Sequence, residues 1–159
     1  MYLIDGHNLI GKLPDISLDD PDDEAKLVLK LMGFAARTGK KISVIFDQGV
    51  PAGRSRLGNA VVEVVFANPV GTADALMIRR IHSERSPQNL IVVSSDNAVL
   101  NAAHARKMRV FTSAQFVAQL AAPAPKLPDE DVDKRPDAPV SKHEVEYWLR
   151  RFNDKTGGL

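Results

Sequence analysis

The sequence predicts an α/β chain organised around a mostly parallel sheet of about five strands. Three observations carry that prediction. Short apolar runs, Leu3-Ile4, Val44-Ile45-Phe46 and Leu90-Ile91-Val92-Val93, alternate with stretches whose apolar residues recur at helical spacing. Each of those runs leads into an aspartate, at Asp5, Asp47 and Asp96. Residues that cap helices, Thr72, Asp96 and Thr112, begin the stretches of helical spacing. Strands alternating with helices make βαβ units, whose strands run parallel.

Taken in order, residues 2 to 5 read as the first strand, followed by a loop rich in acids. A helix is expected from about Glu24 to Arg37, with Leu27, Leu31, Phe34 and Ala35 on one face and Gly39 closing it. Ile42 to Phe46 is the second strand. Gln48 to Gly58 holds three Gly, a Pro and two Arg and reads as a loop. Ala60 to Phe66, rich in Val, is the third strand. Thr72 caps a helix running to about His82, the fourth strand ends at Val93, and Ser95 or Asp96 caps a helix to about Arg106. Arg109 to Phe111 is a short fifth strand. Thr112 with Gln115 has the spacing of a capping box for a helix ending near Leu120.

Beyond residue 121 the composition changes. Pro123, Pro125, Pro128, Pro136 and Pro139 stand among acids, so 122–140 reads as a linker between a domain at 1–121 and a terminal segment at 141–159. In that last segment Ser141 and Glu144 have capping-box spacing. Val145, Trp148, Leu149 and Phe152 would form one apolar face of a helix.

A chain of 159 residues, 44% of them hydrophobic, can bury one core. It has no Cys, which excludes disulfides and thiolate metal sites and leaves oxygen ligands open. No apolar run has bilayer length and no leader pattern opens the chain, so a cytoplasmic protein without a membrane partner is expected. The net charge of +1 hides an uneven distribution. Residues 25 to 122 carry thirteen Lys or Arg against five acids, Asp47, Glu63, Asp74, Glu84 and Asp96. Basic surroundings draw in a polyanion, while a carboxylate cluster repels it; a bound cation would reconcile the two.

Each aspartate has an ordinary explanation. Asp5 and Asp47 could shape turns, Asp74 could sit favourably in a helix's first turn, and Asp96 could be an N-cap. Taken together they ask for more, because a parallel sheet gathers the carboxyl ends of its strands at one crevice. Like charges held there raise one another's pKa unless a cation intervenes. Oxygen-only ligation suits Mg²⁺ or Mn²⁺, one ion or two. Around the acids, Thr72, Ser94, Ser95 and Asn97 could orient carboxylates or simply cap helices. Arg54 and Arg56 on the Gly-rich segment and Arg79 and Arg80 after Asp74 are the phosphate-contact candidates. The four His show no paired ligand spacing.

The succession Leu3-Ile4-Asp5-Gly6-His7-Asn8, Phe46-Asp47, Thr72-Ala73-Asp74 and Ser94-Ser95-Asp96 resembles the YacP-like NYN branch of the PIN-like nuclease superfamily over about residues 1 to 120. The resemblance implies a Rossmann-like three-layer sandwich and a metal-dependent endoribonuclease. Asp5, Asp47, Asp74 and Asp96 would be its acidic site, with Asp5, Asp74 and Asp96 on the metal and Asn8 holding phosphate or water. It implies RNA as the partner, and it brings in the ribosome, with which bacterial members are linked in messenger RNA cleavage. One departure is His7, where the family commonly has Tyr. Two other readings stay open. One is a noncatalytic RNA- or ribosome-binding module of the same fold. The other is an Asp-nucleophile phosphatase, which would want a second Asp where His7 stands.

Overall fold

The structure, a computed structural model, describes residues 1–47, 53–67 and 71–122. Their elements are β1 (Tyr2–Asp5), α1 (Gly6–Ile10), α2 (Asp23–Thr38), β2 (Ile42–Phe46), β3 (Gly53–Ser55), β4 (Val62–Phe66), α3 (Ala73–Ser83), β5 (Ile91–Val93), α4 (Asn97–Ala105), β6 (Arg109–Phe111) and α5 (Ser113–Ala121). The strands form one sheet in the order β3-β4-β2-β1-β5-β6. Five run parallel, and β3 pairs antiparallel on the outer edge of β4. The linker and terminal helix expected at 122–140 and 141–159 lie outside the described residues, Ala122 apart. No helix among the described residues is long and apolar enough to cross a membrane.

Period-two alternation sorts the strand side chains onto two faces. Tyr2, Ile4, Ile42, Val44, Phe46, Val62 and Val64 point to one side, where α1, α2 and α5 cover them. Leu3, Ile45 and Val92 point to the other, against Met77 and Ile81 of α3 and Val99 and Ala103 of α4. The result is three layers with a core on each face of the sheet. The same alternation fixes the function-bearing positions. Asp5 follows Leu3 by two, Asp47 follows Ile45 by two and Ser94 follows Val92 by two, so all three project on the α3/α4 side at the strands' carboxyl edge.

Two elements differ from the sequence expectation. The residues after Asp5 form a short helix rather than an open loop, because Asp5 turns back to accept the Asn8 N–H and caps it. Gly6 is required there: a Cβ would collide with the Phe46 ring. Within the Gly-rich stretch expected to be a loop, Gly53–Ser55 form β3, pairing with the edge that β4 would otherwise leave open. Elsewhere the caps are as expected. Thr72 and Asp96 cap α3 and α4, Thr112 and Gln115 form the reciprocal box, and Gly39 ends α2 with φ +67°.

Candidate active site

The site is built around Asp5, the last residue of the central strand β1. The residue is only 5% exposed. Oδ1 accepts the Asn8 N–H at 3.2 Å, and Oδ2 is 3.5 Å from the Ser94 hydroxyl, which faces it from the end of β5. The α3 helix begins over this edge, and its second residue, Asp74, lies close enough to Asp5 for the two side chains to share a hydrogen bond when Asp5 carries a proton. Burial is the main force raising the Asp5 carboxyl; the charges of Asp74 and Asp47 add to it, the Asn8 N–H opposes it, and the pKa stands at about 6. Burial and the neighbouring Asp96 charge also push Asp74 up, while its hydrogen bond from Asp5 holds it down.

Asp47 stands just beyond β2. Its Oδ1 accepts the Ala73 N–H at 2.8 Å, tying the strand end to the start of α3. Its own N–H donates to His7 Nδ1 at 3.3 Å, and His7 Nε2 meets Glu24 Oε1 at 3.2 Å. Asp96 caps α4: its Oδ1 accepts from Ala98 and Val99 at 2.9 and 3.1 Å, and its N–H donates to Ser94 Oγ at 3.1 Å. Ser94 thus bridges Asp96 and Asp5. All four aspartates occupy one edge, and among the described residues none forms an ion pair with Lys or Arg.

The donor set is carboxylate and hydroxyl oxygen, which fits Mg²⁺ or Mn²⁺. The pairing of buried Asp5 with half-buried Asp74 fits as well, since a cation beside them would offset the burial and the neighbouring acid charges that raise both. The three expected ligands are not, however, preassembled. Among the described residues no three His, Cys, Asp or Glu side chains form a group able to hold an ion. Asp5 and Asp74 meet, whereas Asp96 has one oxygen taken by the α4 backbone. An ion that keeps most of its waters needs only one or two carboxylates.

The remaining expected residues divide. Ser94 contacts the acids. Thr72 Oγ1 accepts the Ala75 N–H at 3.2 Å and is a cap. Ser95 Oγ accepts the Ser113 N–H at 3.3 Å, and the Ser113 hydroxyl donates to Asn8 Oδ1 at 2.9 Å, so Asn8 and Ser95 are both tied to the start of α5. Asn97 is the exposed first residue of α4. Arg56 and Arg79 are exposed, and the Arg54 side chain lies outside what is described.

Arg80 requires a correction. Six residues after Asp74 on a helix is well round its circumference and nearly two turns along, and Arg80 is bound to Ser43 and Glu63 near the opposite end of the strands. The basic surroundings shrink further, because Lys26 pairs with Asp20, Lys30 pairs with Asp15, and Arg106 donates to the carbonyls of Ile81, His82 and Glu84. Sequence reasoning missed Glu24. The signal was present: Glu24 stands in helical line with Leu27, Val28 and Leu31, an acid on an inward face. Ser113 carried no such signal, since its partner is 105 residues away.

A family model described as the YacP-like NYN domain matches residues 2–152. The crystal structure of Rae1 (YacP) from Bacillus subtilis is similar with a TM-score of 0.61 at 19% identity, covering 98% of this chain and 83% of that one. A second crystal structure of the same protein, a tryptophan-to-leucine mutant, gives 0.59 at 19% identity with 99% and 84% covered. At that identity the likeness shows the fold. No curated protein sequence matches the chain.

Proposed function

The chain belongs to the YacP-like NYN domain family, whose character is that of RNA-directed nucleases, and from that premise we propose that it is a divalent-metal-dependent endoribonuclease. The observation that carries the reading is Asp5. A buried carboxyl pressed against Asp74, raised to about 6 and without a Lys or Arg partner among the described residues, weakens the fold and suits a cation site.

Asp5 and Asp74 would hold the ion, with Asp96 reaching it through water. A bound Mg²⁺ or Mn²⁺ supplies positive charge that offsets the phosphodiester's own and acidifies water for attack. The chain's residues set the stage for hydrolysis, in which water adds to phosphorus and the ribose oxygen leaves. Ser94 orients the Asp5 Oδ2 edge, and the Asn8 N–H holds Oδ1. Asp47 anchors the start of α3 and adds negative charge beside the pair. Arg56 and Arg79 are the remaining phosphate-contact candidates, with Arg54. Bacterial members linked to messenger RNA cleavage on ribosomes make translated messenger RNA the first substrate to test.

The deciding experiment incubates the full chain with structured and unstructured RNA and Mn²⁺ or Mg²⁺, beside Asp74→Asn and a chelator. Cleavage that vanishes in both controls supports the reading; cleavage surviving either one sinks it. A noncatalytic RNA-binding module is the second reading, favoured by the lack of a preassembled three-residue ligand group among the described residues. RNA binding without cleavage in either metal would select it.

A further inference from the structure

His7 is the second residue of α1, and its ring meets the Phe46 ring edge-on at 5.2 Å. A backbone N–H can only donate, so the 3.3 Å contact from Asp47 makes His7 Nδ1 an acceptor without a proton. In the neutral ring the proton then stands on Nε2, which donates it to Glu24 Oε1 at 3.2 Å. Asp47 passes the connection on, accepting the Ala73 N–H at the first residue of α3, next to Asp74. One line of hydrogen bonds therefore runs from α2 through α1 and the end of β2 to the turn that carries Asp74.

We infer that His7 and Glu24 are positioning residues of the acidic site, holding Asp47 and, through its carboxylate, the first turn of α3 so that Asp74 stays against Asp5. Both side chains are 28% exposed, so each keeps an edge in water beside the contacts that hold it. The His7 ring is directional: one nitrogen receives from the Asp47 backbone while the other is oriented by a carboxylate, the way outer residues commonly hold a site's inner ones. The kinetic half of the inference rests on the nuclease reading above; the structural half does not.

The test uses the full chain with Mn²⁺ and five variants: Glu24→Ala, Glu24→Gln, His7→Leu, His7→Asn and Asp74→Asn. Glu24→Gln keeps the acceptor for Nε2, and the Asn oxygen of His7→Asn can take the place of Nδ1. Loss of a positioning contact should lower kcat for RNA cleavage about tenfold in Glu24→Ala and His7→Leu, with KM for RNA within about twofold. The two conservative variants should recover most of it. Independently of activity, nitrogen NMR should show the Nε2–H tautomer, and amide exchange at Asp47 and Ala73 should quicken in His7→Leu but not in His7→Asn. Unchanged kcat and exchange in His7→Leu and Glu24→Ala would overturn the inference, as would equal loss in the conservative variants. If Asp74→Asn cleaves like the parent, the nuclease reading fails and the exchange data alone judge the positioning role. If Asp74→Asn is inactive while His7→Leu is fully active, the positioning inference alone fails.

Discussion

The two edges of this sheet treat carboxylates in opposite ways. Near the amino end of the strands, Glu63 on β4 faces Ser43 on β2, and the Ser43 hydroxyl donates to it at 3.0 Å. Arg80 donates to both residues, reaching Glu63 Oε2 at 3.1 Å. At the carboxyl end, Asp5, Asp47, Asp74 and Asp96 stand together without a Lys or Arg among the described residues. One helix serves both edges: α3 carries Asp74 in its first turn and Arg80 in its last, each at the end its macrodipole favours. A carboxylate placed for stability arrives with its cation on a neighbouring element. A buried one left without a cation costs stability, and that cost points to a ligand the chain does not itself contain.

The sharpest way to break this contrast is to neutralise one residue at each edge and compare cleavage. Asp74→Asn should lower RNA cleavage by about 10² to 10³-fold, since lost metal ligation removes several kcal/mol of transition-state stabilisation. Arg80→Ala should leave the rate per folded molecule unchanged. Gel-based cleavage assays at matched folded concentration read both, and equal losses would erase the distinction between the edges.

Asp5→Asn tests the claimed cost. Lifting a buried carboxyl to about 6 costs its ionised form about 3 kcal/mol in the folded state. Below the ordinary carboxyl range both folded and unfolded chains hold the proton and nothing is lost. As pH rises the unfolded chain ionises first, so stability falls until about pH 6 and the cost is complete above it. Asn can accept the Asn8 N–H and donate to Asp74, so Asp5→Asn should be more stable than the parent by about 3 kcal/mol at pH 7.5 in chelator. Thermal melts across pH should show that gap closing toward pH 4. A gap independent of pH would remove the electrostatic explanation.

Much of the carboxyl edge was legible because its signals are local. Thr72, Asp96 and Thr112 each cap through a bond two or three residues onward, so four residues of sequence contain the whole interaction. The gathering of Asp5, Asp47 and Asp96 follows from strand ends in a parallel sheet. The amino edge was illegible for the complementary reason. Arg80 finds Ser43 and Glu63 at separations of 37 and 17 residues, and nothing beside Arg80 distinguishes it from Arg79. The same holds for β3, which exists only because β4 offers an open edge, and for Ser113, whose link to Asn8 depends on where α5 lands.

The amino edge can be probed by stability alone. Arg80→Ala leaves Glu63 and Ser43 without their guanidinium, yet the Arg80 side chain is itself 36% exposed and water can replace part of the bond. A loss of about 1 kcal/mol is expected in urea unfolding. Arg80→Ala combined with Glu63→Gln should lose less than the sum of the single changes, because the two residues share one interaction. Strict additivity would mean the pair contributes nothing and that the amino edge is not the stabilised counterpart of the acids.

Ligand linkage also separates the edges. A cation that binds the folded acids and not the unfolded chain stabilises by RT ln(1 + [L]/Kd), about 1.4 kcal/mol at tenfold excess over Kd. Mn²⁺ or Mg²⁺ at pH 7.5 should therefore raise Tm of the parent and of Arg80→Ala alike. The increase should shrink in Asp74→Asn and in Asp5→Asn, because each removes one of the two carboxylates proposed to hold the ion. The pH dependence has a definite sign. Protonation competes with the cation, so the shift should be full above about pH 6, where Asp5 is ionised, and fade below it. A Tm rise of equal size at pH 5 and 7.5, or one that survives in the double variant lacking both carboxylates, would place the ion elsewhere and leave the raised Asp5 carboxyl without a ligand to explain it.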